Sequence, residues 1–162
     1  SATRSERCCR HVRIERRDDT YVARDDTGEI LWSIELALDL RGTPFREEAV
    51  WPAASVVVIA GGPCVHFLAA ASGAVVKTLS LAGDLFGHLG PTDEDVLYLL
   101  GWRHVVAVDS ALAVRWVSRD VAVDGITWKS GDRTRIALSA ELDPPGGWVE
   151  VELDATTAEI LR

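Results

Sequence analysis

The sequence contains few cysteines and no long apolar run, and both features exclude whole classes of protein. Only three cysteines occur in 162 residues, and two of them are adjacent, which is a poor basis for a disulfide framework. No apolar stretch approaches the roughly 18 residues that a membrane-spanning helix needs. No apolar segment follows the basic residues at the start, so we expect no secretory signal. We therefore expect free thiols, no membrane association and a cytoplasmic location.

Basic residues are also scarce relative to acidic ones. The chain has 17 Lys and Arg against 25 Asp and Glu, a formal net charge of −8. A surface that neutralises phosphates needs a basic excess, so we expect no binding to nucleic acid. The otherwise ordinary composition and the length suit one globular domain. We assign residues 1–162 to a single domain in which residues 1–9 form a flexible basic tail.

The sequence lacks the common catalytic and metal-binding motifs. It contains no G-x-S-x-G, H-E-x-x-H, G-x-x-x-x-G-K-[ST] or G-x-G-x-x-G. Cys8, Cys9 and His11 together with Cys64 and His66 offer zinc ligands, but the paired spacing of zinc modules is missing. The acidic clusters match turn chemistry better than calcium loops. We therefore assign no catalytic residue, no metal and no cofactor, and absence of enzymatic activity is the preferred interpretation.

The dominant feature of the sequence is an internal repeat. Each copy is an alternating strand, a tight turn and a second strand, as in YVARDDTGEILW, HFLAAASGAVVK, VVAVDSALAVRW and VELDATTAEILR. The equivalent turn positions are 28, 73, 112 and 158, separated by 45, 39 and 46 residues. That period matches one blade of a β-propeller, which has roughly 40 to 50 residues.

Further short strands precede each hairpin. One is predicted over residues 11–15, 56–60, 96–100 and 135–140. A shorter leading strand is predicted over residues 49–51, 85–88 and 125–128, and unit one has no counterpart. Residues 34–40 and 79–86 are too short and too poorly capped to be helices. The sequence therefore predicts an all-β fold of four propeller-like antiparallel units with three to four strands each, a small or partial β-propeller.

The turn and the strand that follows it carry a resemblance to a known family. Ala23, Asp25, Thr27, Gly28 and Trp32 resemble the blade motif of quinoprotein-type (PQQ-like) β-propellers, in which a closing tryptophan joins neighbouring blades. Partial matches are Ala107, Asp109 and Trp116 in unit three, and Asp154 and Thr157 in unit four, where Arg162 replaces the tryptophan. The resemblance implies blade packing, and it places no cofactor or calcium ligand on any position of this chain.

Aromatic side chains supply the candidate binding residues. Trp148 follows the turn DPPGG, and Trp102 follows Gly101, so both are expected near loop surfaces. Trp51, His88 and Trp128 fall on the leading strands, which line the central channel of a propeller. Large aromatic residues dominate binding energies, and repeat proteins bind through their loops. We predict a binding surface formed by these five residues.

These observations favour a non-enzymatic module that binds another protein. An acidic surface is typical of proteins that neutralise a basic enzyme, so an inhibitor or an immunity-type partner in a bacterium is the leading interpretation. Two alternatives stay open: a carboxylate- or metal-dependent hydrolase, and a structural subunit of an assembly.

The assembly of the four units is a separate question. Basic residues are concentrated near the start of the chain and acidic residues near its end. The opposite charges predict that the N-terminal strand lies against the C-terminal unit. Ring closure is the preferred form of this contact, and exchange between the subunits of a homodimer by strand pairing is the other.

Overall fold

The protein is built from β-strands that form four separate antiparallel sheets. A computed structural model describes residues 12–161. Within these residues, the sheets are β1 (Arg13–Arg17), β2 (Thr20–Arg24) and β3 (Ile30–Glu35); β4 (Arg46–Trp51), β5 (Val56–Gly61), β6 (Cys64–Ala69) and β7 (Val75–Ser80); β8 (Phe86–Leu89), β9 (Val96–Gly101), β10 (Val105–Asp109) and β11 (Val114–Val117); and β12 (Ile126–Gly131), β13 (Arg135–Asp143) and β14 (Gly147–Asp154).

The predicted all-β architecture is confirmed. Each sheet, called blades 1 to 4 in chain order, corresponds to one sequence unit, and the strands of a blade pair in chain order. Blade 1 has no strand ahead of β1 among the described residues, as the sequence predicts. The helical structure in residues 12–161 is one short 3-10 turn, Pro52–Ala54. No helix in this part of the chain is long and apolar enough to cross a bilayer.

The four predicted turn positions share one backbone conformation. Gly28, Gly73, Leu112 and Ala158 have φ values of 86°, 75°, 65° and 66°. In the first turn, Asp25 Oδ1 accepts hydrogen bonds from the backbone N–H groups of residues 27 and 29. The aspartate therefore accepts backbone N–H groups that would otherwise have no partner in the tight turn.

The hydrophobic core lies between neighbouring blades, in three layers. Strand residues alternate between the two faces of a sheet, so a blade with two neighbours buries side chains on both faces. β5 is accordingly buried along its whole length. The main buried side chains are Tyr21, Trp32, Ile59 and Leu68 between blades 1 and 2; Trp51, Phe67, Phe86 and Leu97 between blades 2 and 3; and Leu100, Ile136, Leu138 and Leu153 between blades 3 and 4.

The closing position of the repeat joins each blade to the next. The indole N–H of Trp32 donates to the carbonyl of Ala70 at 2.8 Å, and that of Trp116 donates to Ala155 at 2.9 Å. Lys77 occupies the same position in blade 2 and donates to the carbonyl of Leu112 in blade 3. The blade contact that the family resemblance implies is thus formed by a lysine where the tryptophan is missing. Arg162 lies outside the described residues.

Contrary to the prediction, the sheets of residues 12–161 do not close into a ring. β1 pairs with β2 and packs beside β4, and no strand pairing within residues 12–161 joins it to blade 4. The outer face of blade 1 carries the exposed side chains of Arg13, Glu15 and Arg17. Closure would remove such charged groups from water, which costs free energy unless each is paired.

Charges near both ends of the chain have partners other than those predicted. Arg16 of β1 lies 3.2 Å from Glu48 in blade 2, and Arg24 lies 3.3 Å from Glu15 in blade 1. In blade 4, Lys129 lies 2.7 Å from Glu150, and Arg135 contacts Glu152 at 3.5 Å. Exchange between subunits stays a prediction, and the basic tail of residues 1–9 lies outside the described part of the chain.

Candidate functional site

Loops of blades 2, 3 and 4 surround a cavity at one end of the molecule. This end, where β4, β8 and β12 begin, is called the upper end. The cavity has a volume of about 510 Å³, within the range of ordinary ligand sites. Its walls consist of the segment before β4, the residues at the starts of β8, β12 and β14, and the residues at the ends of β9 and β13. The lining residues are Gly42, Thr43, Pro44, Phe45, Gly87, His88, Gly101, Trp102, Asp124, Gly125, Ile126, Thr127, Glu141 and Trp148.

Aromatic rings form much of the wall. The Phe45 ring meets the His88 ring edge-on, with centroids 5.4 Å apart, and meets the Trp102 ring edge-on at 6.4 Å. Trp148 is 44% exposed and Phe45 is 38% exposed. A Cβ on Gly125 would lie 3.0 Å from Cη2 of Trp148. Glycine at this position therefore lets the indole lie directly against the backbone.

The charged side chains that line the cavity are acidic. Asp124 and Glu141 belong to the wall, which contains no lysine or arginine from the described part of the chain. Glu141 Oε1 accepts the backbone N–H of Gly146 at 2.8 Å, which holds this carboxylate near the start of β14. Glu141 Oε2 lies 3.9 Å from the position of a Cβ on Gly125. The carboxylate and the Trp148 ring therefore approach the same backbone position.

His88 is held by a carboxylate from the neighbouring blade. Its Nδ1 lies 3.0 Å from Glu47 Oε1, and Glu47 Oε2 accepts the backbone N–H of Leu89 at 3.1 Å. Glu47 thus links the leading strands of blades 2 and 3. A fixed imidazole and a fixed Phe45 ring give this wall of the cavity a defined shape.

A buried carboxylate organises the loop that carries Trp102. Asp84, with only 4% of its surface exposed, accepts the backbone N–H groups of Trp102, Arg103 and His104 at 3.1 to 3.2 Å. The indole N–H of Trp102 and the hydroxyl of Thr43 have no hydrogen-bond partner among residues 12–161. Both residues line the cavity, but these two polar atoms are covered by the surrounding protein.

Three of the five predicted binding residues meet at this cavity, and two lie elsewhere. His88, Trp102 and Trp148 line it. Trp51 is completely buried in the core between blades 2 and 3, and its indole donates to the carbonyl of Glu94 at 2.7 Å. Trp128 is partly buried, stacks on a tyrosine with ring centroids 5.3 Å apart and packs against the core between blades 3 and 4. Trp51 and Trp128 therefore belong to blade packing.

Sequence reasoning missed Phe45, Asp124 and Glu141. Phe45 and Asp124 lie just before the leading strands β4 and β12. The signal was available in the repeat, because segments at equivalent places in successive units meet at the same end of the structure. Glu141, near the end of β13, carried no comparable signal.

The candidate zinc ligands are only partly within the described chain. Cys8, Cys9 and His11 lie outside it. Cys64 is a free thiol, and Nδ1 of His66 lies 2.9 Å from a threonine hydroxyl. Burial lowers the pKa of His66 and favours its neutral form. Within residues 12–161, no group of three or more His, Cys, Asp or Glu side chains could hold a metal ion.

Comparison with known proteins identifies the architecture. The chain matches no protein-family model, and no curated protein matches its sequence significantly. Among solved structures, BamB from Moraxella catarrhalis is similar, with 20% identity and a TM-score of 0.57, over 93% of this chain and 44% of that one. Quinohemoprotein alcohol dehydrogenase from Comamonas testosteroni is 13% identical with a TM-score of 0.62, over 94% of this chain and 33% of the dehydrogenase. The fold is a partial β-propeller.

The chain spans less than half the length of these solved structures. The same holds for hydrazine synthase from Kuenenia stuttgartiensis, with 11% identity and a TM-score of 0.64, over 89% of this chain and 42% of the synthase. At such low identity the likeness concerns the fold alone. It supports the PQQ-like resemblance in blade architecture, and the upper-end cavity is evaluated on its own chemistry.

Proposed function

We propose that the protein is a non-enzymatic module that binds another protein through its upper end. The observation that carries the proposal is the cavity lined by His88, Trp102 and Trp148, with Phe45 beside them. Exposed aromatic side chains around a concave site are the residues that most often dominate the energy of a protein interface. Half-exposed Trp148 would lose its remaining contact with water on binding.

The charge of the protein suggests the class of partner. The net charge of −8 and the acidic wall of the cavity would attract a basic surface and speed association with it. We propose that the module inhibits a basic enzyme, as an inhibitor or immunity-type protein in the bacterial cytoplasm would. The free thiol of Cys64 suits that reducing compartment.

Affinity purification from the source organism tests this function by comparing the partner captured by the wild type and by two variants. Trp148→Ala removes an exposed ring of the cavity, and we expect it to abolish capture of the specific partner while leaving the melting temperature nearly unchanged. Ile30→Ala truncates a side chain that is also exposed (53%) but lies in blade 1, so it should capture the partner normally. Equal capture by both variants would contradict the proposed surface.

A structural role is the second candidate, and two outer strands favour it. β7 and β11 are edge strands, and their side chains include exposed valines: Val75 and Val76 are 52% and 53% exposed, and Val117 is 54% exposed. An uncovered apolar edge strand can pair with a second copy of the chain. Light scattering coupled to gel filtration should then show a homodimer that Val76→Lys or Val117→Lys converts to a monomer. A monomeric wild type would exclude this assembly.

A further inference from the structure

We infer that the upper-end cavity binds the guanidinium group of an arginine side chain presented by a basic segment of the partner. This inference rests on the proposed protein-binding function and specifies the chemistry that the site recognises. It starts from the composition of the wall, which offers three aromatic rings and an imidazole together with two carboxylates.

Aromatic faces and carboxylates together select a cation. A cation gains free energy over an aromatic face, and more when the site is partly shielded from water. Glu141 and the Trp148 ring converge on Gly125, so one bound group can contact both. An anionic ligand would be repelled by Glu141 and Asp124, and a neutral one would gain no ion pair from either.

Among residues 12–161, no lysine or arginine side chain of the wall supplies a cation to these groups. Arg103 follows Trp102 directly in the chain, but its guanidinium donates to the carbonyl of Gly83 at 2.9 Å and lies near Asp84. Arg46 follows Phe45 and donates to the hydroxyl of Tyr21 at 2.6 Å. Both neighbouring arginines are thus engaged away from the cavity.

The planar rings and the carboxylates of the wall favour arginine over lysine. A guanidinium is planar, stacks on aromatic rings and forms two parallel hydrogen bonds with a carboxylate, which an ammonium group cannot do. A guanidinium has only donors, and the carboxylates of Asp124 and Glu141 in the wall offer acceptors for them.

A titration with short peptides tests the inference. The probes are N-acetyl-Gly-Arg-Gly-amide and the same peptide with citrulline, which keeps the shape of arginine and removes its charge. Tryptophan fluorescence and NMR chemical shifts of the protein are followed at millimolar peptide. We expect the arginine peptide to bind at least roughly tenfold more tightly than the citrulline peptide, and added salt to reduce the difference.

Matched variants assign the binding to the cavity. Glu141→Gln retains an oxygen that can accept the Gly146 N–H and should weaken binding of the arginine peptide roughly tenfold. Asp26→Asn makes the same charge change on the exposed turn of blade 1 and should leave the affinity unchanged. Equal binding of the two peptides, or equal losses in both variants, would overturn the inference.

The two proposals can fail separately. Capture of a partner that depends on Trp148, combined with no preference for the arginine peptide, would refute arginine recognition and leave the protein-binding function standing. Loss of both results would refute both. Binding of the arginine peptide to wild-type protein and to Trp148→Ala with equal affinity would also overturn the inference, because it would place the cation outside the cavity.

Discussion

Asp84 connects the stability of blade 3 to the shape of the cavity. Its buried carboxylate accepts four backbone N–H groups, from Leu85 and from residues 102 to 104. An asparagine side chain would keep one acceptor oxygen, and its NH2 group would face backbone N–H groups that the second carboxylate oxygen now accepts. Donors left buried and unpaired cost free energy well beyond the value of the lost bonds.

We therefore expect Asp84→Asn to lower the free energy of unfolding by about 2 to 4 kcal/mol, measured by urea denaturation. Asp120→Asn is the control, because this exposed carboxylate lies 3.8 Å from His104 and its loss should cost about 0.5 kcal/mol or less. A similar small effect for Asp84→Asn would show that the loop holds its conformation without the buried carboxylate.

Asp132 predicts how the protein loses stability in acid. The hydroxyl of Thr134 and the backbone N–H groups of residues 134 and 135 donate to its carboxylate, and these bonds lower the pKa of Asp132 from 3.8 to about 2. Because the pKa of Asp132 is lower in the folded than in the unfolded state, its ionised carboxylate stabilises the fold fully above pH 3.8. This stabilisation is lost as the pH falls through about 2. Urea denaturation over this pH range should show a shallower loss for Asp132→Asn.

Thr134→Val supplies the complementary measurement. It removes the hydroxyl that contributes most to the lowered pKa of Asp132, so the folded pKa should move back toward its unfolded value. The stability of this variant should depend less steeply on pH than that of the wild type. Identical slopes for all three proteins would assign the acid response to other carboxylates.

At the scale of the element, two hairpin glycines allow the cost of backbone strain to be measured apart from the cost of steric crowding. Gly28 and Gly73 both have positive φ, where a side chain costs about 1 kcal/mol. A Cβ on Gly28 would meet no atom within 4 Å, whereas one on Gly73 would lie 2.7 Å from the Trp32 ring. Gly28→Ala should therefore cost about 1 kcal/mol, and Gly73→Ala about 3 kcal/mol because overpacking adds to the strain.

Urea denaturation of the two alanine variants measures this difference directly. The comparison holds the backbone conformation and the chemical change constant, so the excess for Gly73→Ala reports the contact between blades 1 and 2. Equal losses would mean that Trp32 moves aside freely, and that its hydrogen bond to Ala70 contributes little to blade packing.

At the scale of the whole molecule, we propose that the four blades form one domain with unequal local stability. Blades 2 and 3 pack against neighbours on both faces, and blades 1 and 4 on one face among the described residues. In repeat architectures stability is shared between adjacent units, so the outer units open more readily. Amide exchange should accordingly be slowest in β5 and β9 and faster in β1 and β14. Uniform protection would contradict this gradient.

The repeat was readable because its signals are local. Asp25 bonds to residues two and four positions further on, and strand alternation needs only neighbours in sequence. The strand boundaries near 56–60 and 96–100 were therefore predicted to within one residue. Trp51 was misplaced as a candidate surface residue because a tryptophan on a leading strand can face either the channel or a neighbouring blade, and the register decides which.

The sequence alone thus determined an all-β fold, four blades and the turn at each hairpin, since these follow from interactions over a few residues. Only the tertiary structure decided which aromatic side chains meet. Phe45, Trp102 and Trp148 are separated by more than forty residues each, and they share a cavity because blades 2, 3 and 4 stack with the same ends together. The open arrangement of residues 12–161 was likewise decided in three dimensions, where Arg16 of β1 meets Glu48 of blade 2 and the acidic residues Glu150 and Glu152 meet basic side chains of blade 4.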